Sequence, residues 1–109
     1  MTFAEEIEEQ AQPETIEAVV IGKIFEWGRT SERNESKFTS RVGEILAWAE
    51  ARPLLDYPVG HGFGSPDCHP IAVYTATRII QVCQYDGATD FFTTMRNPTA
   101  GVLPEMPGG

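Results

Sequence analysis

One short stretch near the middle of the chain gathers most of the residue types that can do chemistry. His61, Asp67, Cys68 and His69 fall within it, and Cys83 is the second cysteine. Imidazole and thiolate are the ligands that zinc prefers. The spacing is unfavourable for a metal site, because no Cys-x-x-Cys pair is present and Cys68 is adjacent to His69. We therefore expect no metal and no other cofactor, and we keep His61, Cys68 and His69 as the candidate ligands.

The same stretch offers a second chemistry, in which Cys68 acts as a nucleophile activated by His61 or His69. A catalytic thiol needs a pKa lowered by a nearby imidazolium or helix N-terminus. Asp67 could orient the histidine, but side chains adjacent in sequence usually point apart, and no family signature surrounds the cysteine. We expect a protein that is not an enzyme, and a metal- or cysteine-dependent enzyme is the third hypothesis for function.

Glycines at positions 60, 62 and 64 suggest a phosphate-binding loop in the same region. Glycine-rich loops cradle phosphates where they join a strand to a helix, but this run lacks the Walker spacing and leads into Ser65-Pro66. Glycines that simply permit a tight loop are the competing interpretation. Binding of a small ligand or nucleotide by the loop from Gly60 to His69, in a homo-oligomer that completes the pocket, is the second hypothesis.

The charge of the chain is negative and unevenly distributed. Sixteen acidic residues stand against eight basic ones, a formal net charge of −8. Residues 1–17 hold six of the acids and no base, so the rest of the chain is nearly neutral. A negative field opposes binding to nucleic-acid phosphates and to anionic membranes, and it can steer a protein towards a basic partner. We therefore expect neither direct nucleic-acid binding nor membrane binding.

The expected contacts with a protein partner come from the acidic N-terminal segment and the central loop. The glutamates would imitate phosphate charge in a basic cleft, and loop aromatics bury a large area at low entropic cost. For Tyr57 and Phe63, packing into the core is the competing interpretation, and it is the favoured one for Trp27 and Trp48. The full set of expected contacts is Glu5, Glu6, Glu8, Glu9, Tyr57, His61 and Phe63.

Residues 1–13 are expected to form an acidic N-terminal arm or a short helix. Thr2 and Glu5 have the spacing of a capping box, and the acids near the start suit a helix N-terminus. Phe3 and Ile7 are the only large apolar side chains of this segment, apart from Met1. The helix would therefore have little to anchor it to the rest of the protein.

Residues 14–96 are expected to form a single α+β domain. β-branched residues favour a strand over Ile16–Trp27, with a helix as the alternative that periodicity leaves open, and apolar residues at helical spacing predict an amphipathic helix from about Ser36 to Arg52. Prolines and glycines indicate a long loop over Leu54–Pro70. Beyond the domain, 97–109 is a Pro/Gly-rich segment expected to be a flexible tail.

The clearest strand signal is a hairpin around Asp86-Gly87, preceded by a further strand at Ile71–Thr75. A two-residue loop there sets the pairing of the two runs that flank it. The predicted pairs are Tyr85 with Ala88, Val82 with Phe91 and Ile80 with Thr93. The predicted architecture is α+β, with one amphipathic helix packed on a small antiparallel sheet of three to four strands and with flexible termini.

In size, acidity and lack of a catalytic signature, the chain resembles the small inhibitors made by phages and mobile elements, such as anti-CRISPR proteins. The resemblance covers no motif and transfers no residue. It implies a small acidic, non-enzymatic module that binds another protein with a basic surface and inhibits a nucleic-acid-handling complex. Because the N-terminus does not read as a leader and only two cysteines are present, we expect a cytoplasmic location.

Overall fold

The computed structural model describes residues 1–23, 41–60, 68–85 and 88–97. These residues form two helices and five strands that make one antiparallel sheet, the element content of an α+β protein. In chain order the elements are α1 (Phe3–Ala11), β1 (Ala18–Ile21), β2 (Ile45–Leu46), α2 (Trp48–Leu55), β3 (Ile71–Tyr74), β4 (Arg78–Tyr85) and β5 (Ala88–Met95).

The five strands form one antiparallel sheet in the order β2-β1-β3-β4-β5. β4 and β5 pair along their whole length in the register predicted for a two-residue loop, including Ile80 opposite Thr93. The predicted α+β class with a small antiparallel sheet is confirmed. The predicted number of three to four strands is wrong, because the two-residue strand β2 adds a fifth at the edge beside β1.

Over the described residues, the predicted helix from about Ser36 to Arg52 is confirmed for Trp48–Arg52, which belong to α2, and is wrong for residues 41–47. Residues 41–43 form a turn, in which Gly43 has a φ of 82°, a left-handed conformation that favours glycine. The chain then enters β2, and α2 begins only at Trp48. Pro53 lies inside α2 instead of ending it, and the helix continues for two more residues. Residues 36–40 lie outside the described residues.

α1 is an integral part of the core. Its capping box is formed as predicted, and its apolar face lies against the sheet and α2. The buried side chains of α1 are Phe3, Ala4, Ile7 and Ala11, each at most 2% exposed. Because Val19, Val73 and Ile80 are fully buried on neighbouring strands, they form the sheet side of the same core. Of the two alternatives for residues 1–13, the structure therefore has the helix, anchored by its own apolar side chains.

Of the two alternatives for Ile16–Trp27, the structure has a strand, β1, at Ala18–Ile21, and residues 24–27 lie outside the described residues. Gly22 follows it and donates its N–H to the carbonyl of Pro70 at 2.7 Å. A Cβ atom at Gly22 would lie 3.0 Å from the Cβ of Pro70, so glycine permits this close approach. The predicted strand at Ile71–Thr75 is also present, as β3. Among the described residues, no helix is long and apolar enough to cross a membrane.

Candidate functional site

α1 presents most of its glutamates on the side away from the core. Glu5 and Glu9 are exposed, and Glu6 and Glu8 are half-buried. Residues three or four positions apart are neighbours on a helix surface, so Glu9 lies beside both Glu5 and Glu6. Since the opposite side of α1 is fixed in the core, these carboxylates have a defined direction in the folded protein.

Glu5 completes the capping box at the N-terminus of α1. Its Oε1 accepts the backbone N–H of Thr2 at 2.8 Å, and the Thr2 hydroxyl accepts the backbone N–H of Glu5 at 3.3 Å. This reciprocal pair satisfies two N–H groups at the helix start. Because the side chain of Glu5 remains exposed, its negative charge is still presented to the solvent.

Glu8 has a different role from the other glutamates of α1, because its carboxylate binds α2. Its Oε2 accepts from the indole N–H of Trp48 at 3.0 Å, and both oxygens accept from the guanidinium of Arg52 at 3.1 Å. Two hydrogen bonds lower the pKa of Glu8: the bond from Arg52 has the largest effect, and the bond from Trp48 has the next largest. Trp48 packs at the edge of the core, as predicted. Glu8 therefore joins the two helices.

A second polar cluster joins the segment after α1 to the sheet, through residues that no sequence motif marks. Glu14 accepts hydrogen bonds from the hydroxyls of Thr75 at 2.7 Å and Thr77 at 2.8 Å, and from Nε of Arg78 at 3.1 Å. Together these hydrogen bonds lower the pKa of Glu14 to about 2, and the bond from Thr75 has the largest effect. More than sixty residues separate Glu14 from its partners, so no local pattern could reveal them.

Arg78 also closes the C-terminal end of α1. Its guanidinium donates to backbone carbonyls that have no partner within the helix, where a cation is favoured by the helix dipole. The accepting carbonyls are those of Gln10, Ala11 and Gln12. Arg78 thus holds α1 against β4, which fixes the orientation of the acidic face at the far side of the helix.

Each arginine in the described ranges forms an ion pair with a carboxylate of the same chain. The pairs are Arg41 with Glu44 and Glu50, Arg52 with Glu8 and Asp56, Arg78 with Glu14, and Arg96 with Glu17. Most of these pairs are partly exposed, so they contribute little to stability. Their consequence is electrostatic, because they compensate positive charge internally and leave the excess of acid to dominate the surface.

Tyr57 lies in the core, which corrects its predicted exposure in a loop. Tyr57 is 8% exposed and His69 is 1% exposed. The Tyr57 hydroxyl lies 2.6 Å from Nδ1 of His69 and accepts the backbone N–H of His69 at 2.9 Å. The Tyr57 ring also packs against Phe3 of α1 at a centroid distance of 5.8 Å. The Tyr57 ring is buried because it fills the space between α1 and the segment that leads into β3.

The remaining predicted site residues divide between the core and the undescribed part of the loop. Cys68 is buried, and Cys83 is half-buried on β4. In the part of the chain that the structure describes, no group of three or more His, Cys, Asp or Glu side chains could hold a metal ion. His61 and Phe63 lie outside the described residues. The hypotheses of a ligand-binding loop and of a cysteine enzyme therefore stay predictions.

Comparison with known proteins identifies no relative. No family model matches the chain, and neither the curated proteins nor the solved structures give a match. A functional assignment must therefore rest on the geometry and charge of the chain's own residues.

Proposed function

We propose that this protein is a small non-enzymatic module that binds a basic surface of another protein through the outer face of α1. The observation that carries the proposal is the fixed position of that face. Phe3 and Ile7 anchor α1 in the core, and Arg78 holds its C-terminal end. A carboxylate array on a fixed helix loses less conformational entropy on binding than the same residues on a free arm.

The proposed contact set is narrower than the one expected from sequence. Glu5, Glu6 and Glu9 lie on neighbouring positions of the helix surface and supply the negative charge. Glu8 is set apart, because its carboxylate is already bound by Arg52 and Trp48. Tyr57 is set apart because it is buried.

The nature of the partner follows from the charge of this face. Surfaces that bind nucleic-acid phosphates carry clustered lysine and arginine, and a row of carboxylates offers them a similar charge. A protein that occupies such a surface competes with the nucleic acid for it. We therefore extend the proposal to inhibition of a nucleic-acid-handling complex.

The test compares two variants of equal charge. Glu6→Gln combined with Glu9→Gln removes two charges from the outer face of α1. Glu44→Gln combined with Glu50→Gln removes two exposed charges that pair with Arg41 instead. Each tagged protein is used to capture partners from a lysate of the native host at low and at moderate salt, and the captured proteins are identified by mass spectrometry.

The expected result is one stoichiometric basic protein that is captured by the wild type and by the Glu44/Glu50 variant, and lost with the Glu6/Glu9 variant. Its capture should weaken at moderate salt, because exposed charges are screened. A partner retained equally by both variants would contradict the role of α1. A wild type that captures no protein at either salt would contradict the proposal as a whole.

A further inference from the structure

One face of β5 is directed to the same side of the sheet as α1. The Phe91 ring stacks on Phe3 at the start of α1, at a centroid distance of 5.9 Å. Met95 pairs with Arg78, whose side chain binds the last carbonyls of α1. Because alternate residues of a strand share a face, Thr93 lies between Phe91 and Met95 on the same face. This face of β5 therefore runs beside α1 from the start of the helix to its end.

The described helices leave part of this face accessible. Thr93 is exposed and Met95 is 46% exposed, whereas Ile80, which pairs with Thr93 from β4, is fully buried. The reason is the width of the two layers. α1 packs on β4 and α2 packs on β1, two strands away, and two strand spacings equal the usual distance of about 10 Å between packed helices. Among the described elements, the helical layer thus ends above β4, and β5 lies beyond it.

The side of α1 above β5 is polar and carries excess negative charge. Glu8 faces α2, and Gln10 is turned from it by about 200° around the helix, so the exposed Gln10 is on the side of β5. The exposed carboxylate of Glu9 stands next to it. The positive charge of Arg78 at the end of α1 is compensated by Glu14 and by the helix carbonyls.

We propose that the partner inserts a basic amphipathic helix into the corner between α1 and β5, an inference that rests on the proposed function. We define the α1–β5 corner by Gln10, Phe91, Thr93 and Met95. The inserted helix extends the helical layer by one member, with its apolar side on Phe91 and Met95 and its basic side chains towards the outer face of α1. An amphipathic helix in a groove is a common mode of recognition between proteins.

The charge beside the corner selects this occupant. A second copy of the chain would bring its own acidic α1, and like charges brought together at an interface are unfavourable. Nucleic-acid phosphates are opposed for the same reason. Lysine and arginine bury their aliphatic stems on apolar surface while their charged ends stay in water. They therefore suit a corner in which an exposed Met95 lies beside the helix that carries Glu9.

The first experiment uses a synthetic peptide as the probe, so it does not depend on finding the partner. The peptide has about 18 residues, or five helical turns, with leucines on one side and lysines on the other. A control peptide has the same composition in an order that mixes leucine and lysine around the helix. In a titration followed by the backbone amide signals of the protein, the first peptide should shift Gln10, Thr93 and Met95 most, and the control peptide should bind more weakly.

Two variants of equal charge test the position of the peptide. Thr93→Lys places a positive charge in the corner and should weaken binding of the peptide by about tenfold or more, because like charges then meet. Thr94→Lys places the same charge on the opposite face of β5 and should change the affinity by less than about twofold. Both positions are exposed, and circular dichroism establishes that both variants are folded. Equal affinities of the two variants, or shifts that avoid the corner, would overturn the proposal.

The second experiment locates the natural partner. A photoreactive phenylalanine replaces Met95 in one tagged protein and Thr94 in another, and each is irradiated in the native host lysate. The partner captured through α1 should crosslink from position 95 and much less from position 94, and the crosslinked peptide should belong to a basic amphipathic helix. Equal crosslinking from both positions would overturn the corner while leaving the role of α1 intact. A crosslink from position 95 to residues 98–109 of the same chain would also overturn it. If no partner is captured, the proposed function fails, and the peptide titration still decides whether the corner binds a basic helix.

Discussion

The side chains of Tyr57 and His69 form a hydrogen bond inside the core, and this bond links the two ends of the central loop, Leu54–Pro70. The hydroxyl of Tyr57 lies 2.6 Å from Nδ1 of His69, and the carbonyl of Tyr57 accepts the backbone N–H of Phe3 at 2.7 Å. Thr2 and Pro58 form an isolated antiparallel bridge beside them. The start of α1, the end of α2 and the segment leading into β3 are thus joined at one place. Of the two alternatives for Tyr57, a partner contact or a core residue, the structure therefore has the core residue.

Removing that hydroxyl should destabilise the protein. Tyr57→Phe keeps the ring but leaves Nδ1 and the backbone N–H of His69 without it, and a buried polar group that loses its partner costs about 1–3 kcal/mol. Urea unfolding measures the loss. Tyr74→Phe is the matched control, since Tyr74 is half-buried and its ring, not its hydroxyl, faces Arg96; we expect a change within about 0.5 kcal/mol. Equal stability of both variants would show that the Tyr57 hydroxyl contributes nothing.

The anchoring of α1 makes a prediction about two isoleucines. Ile7 is fully buried, whereas Ile45 on β2 is 81% exposed. Ile7→Ala should lower the free energy of unfolding by about 2–5 kcal/mol, because it removes buried methyl groups and leaves a cavity. Ile45→Ala should change it by less than about 0.5 kcal/mol. If α1 were a free arm, the two variants would be equally stable in thermal and urea unfolding.

Two glutamates of α1 should differ in their effect on stability. Glu8→Ala breaks the hydrogen bonds to Trp48 and Arg52, and partly exposed ion pairs of this kind contribute about 0.2–1 kcal/mol. Glu9→Ala removes an exposed carboxylate with no partner among the described residues, so it should leave stability unchanged. A cycle that adds Arg52→Ala to Glu8→Ala isolates the pair itself. A coupling energy of zero in that cycle would show that the Glu8–Arg52 pair between the helices does not contribute to stability.

The cluster around Glu14 predicts a specific loss of stability in acid. Hydrogen bonds from Thr75, Thr77 and Arg78 lower the pKa of Glu14 to about 2 from its ordinary value of 4.5. Because the folded-state pKa is the lower one, this contribution to stability is complete above pH 4.5 and is lost as the pH falls towards 2. Glu14→Gln should therefore be less stable than the wild type at neutral pH, and the difference should shrink through that window.

The cause of that shift can be tested by removing one of its donors. Thr77→Ala deletes the hydrogen bond from an exposed hydroxyl, so the pKa of Glu14 should move up towards its ordinary value. Carbon-detected NMR titration of the Glu14 carboxylate measures this directly. A Glu14 carboxylate that titrates at its ordinary value in the wild-type protein would refute the assigned role of the cluster.

The parts of the fold that could be predicted from sequence are those held by local interactions. The β4–β5 register follows from a short loop and the alternation of side chains on either side of it, and the capping box needs only Thr2 and Glu5. The helix predicted from about Ser36 to Arg52 is wrong for residues 41–47 because apolar spacing cannot distinguish a helix from a turn followed by a two-residue strand. Gly43 and Leu46 take their conformations from the turn and from pairing with β1, which lies more than twenty residues earlier.

The candidate site also has some features that local sequence predicts and others that depend on contacts between distant residues. Composition and short-range periodicity were sufficient to predict the negative charge, its concentration near the N-terminus and the α+β class, because each of these is a local property of the chain. Four features became visible only in the folded protein: the packing of α1 in the core, the binding of Arg52 by Glu8, the burial of Tyr57 and the hydrogen bonds of Glu14 with two distant threonines. Those outcomes depend on contacts between residues far apart in the chain, and a burial or an ion pair of that kind exists only once the sheet and both helices have packed together.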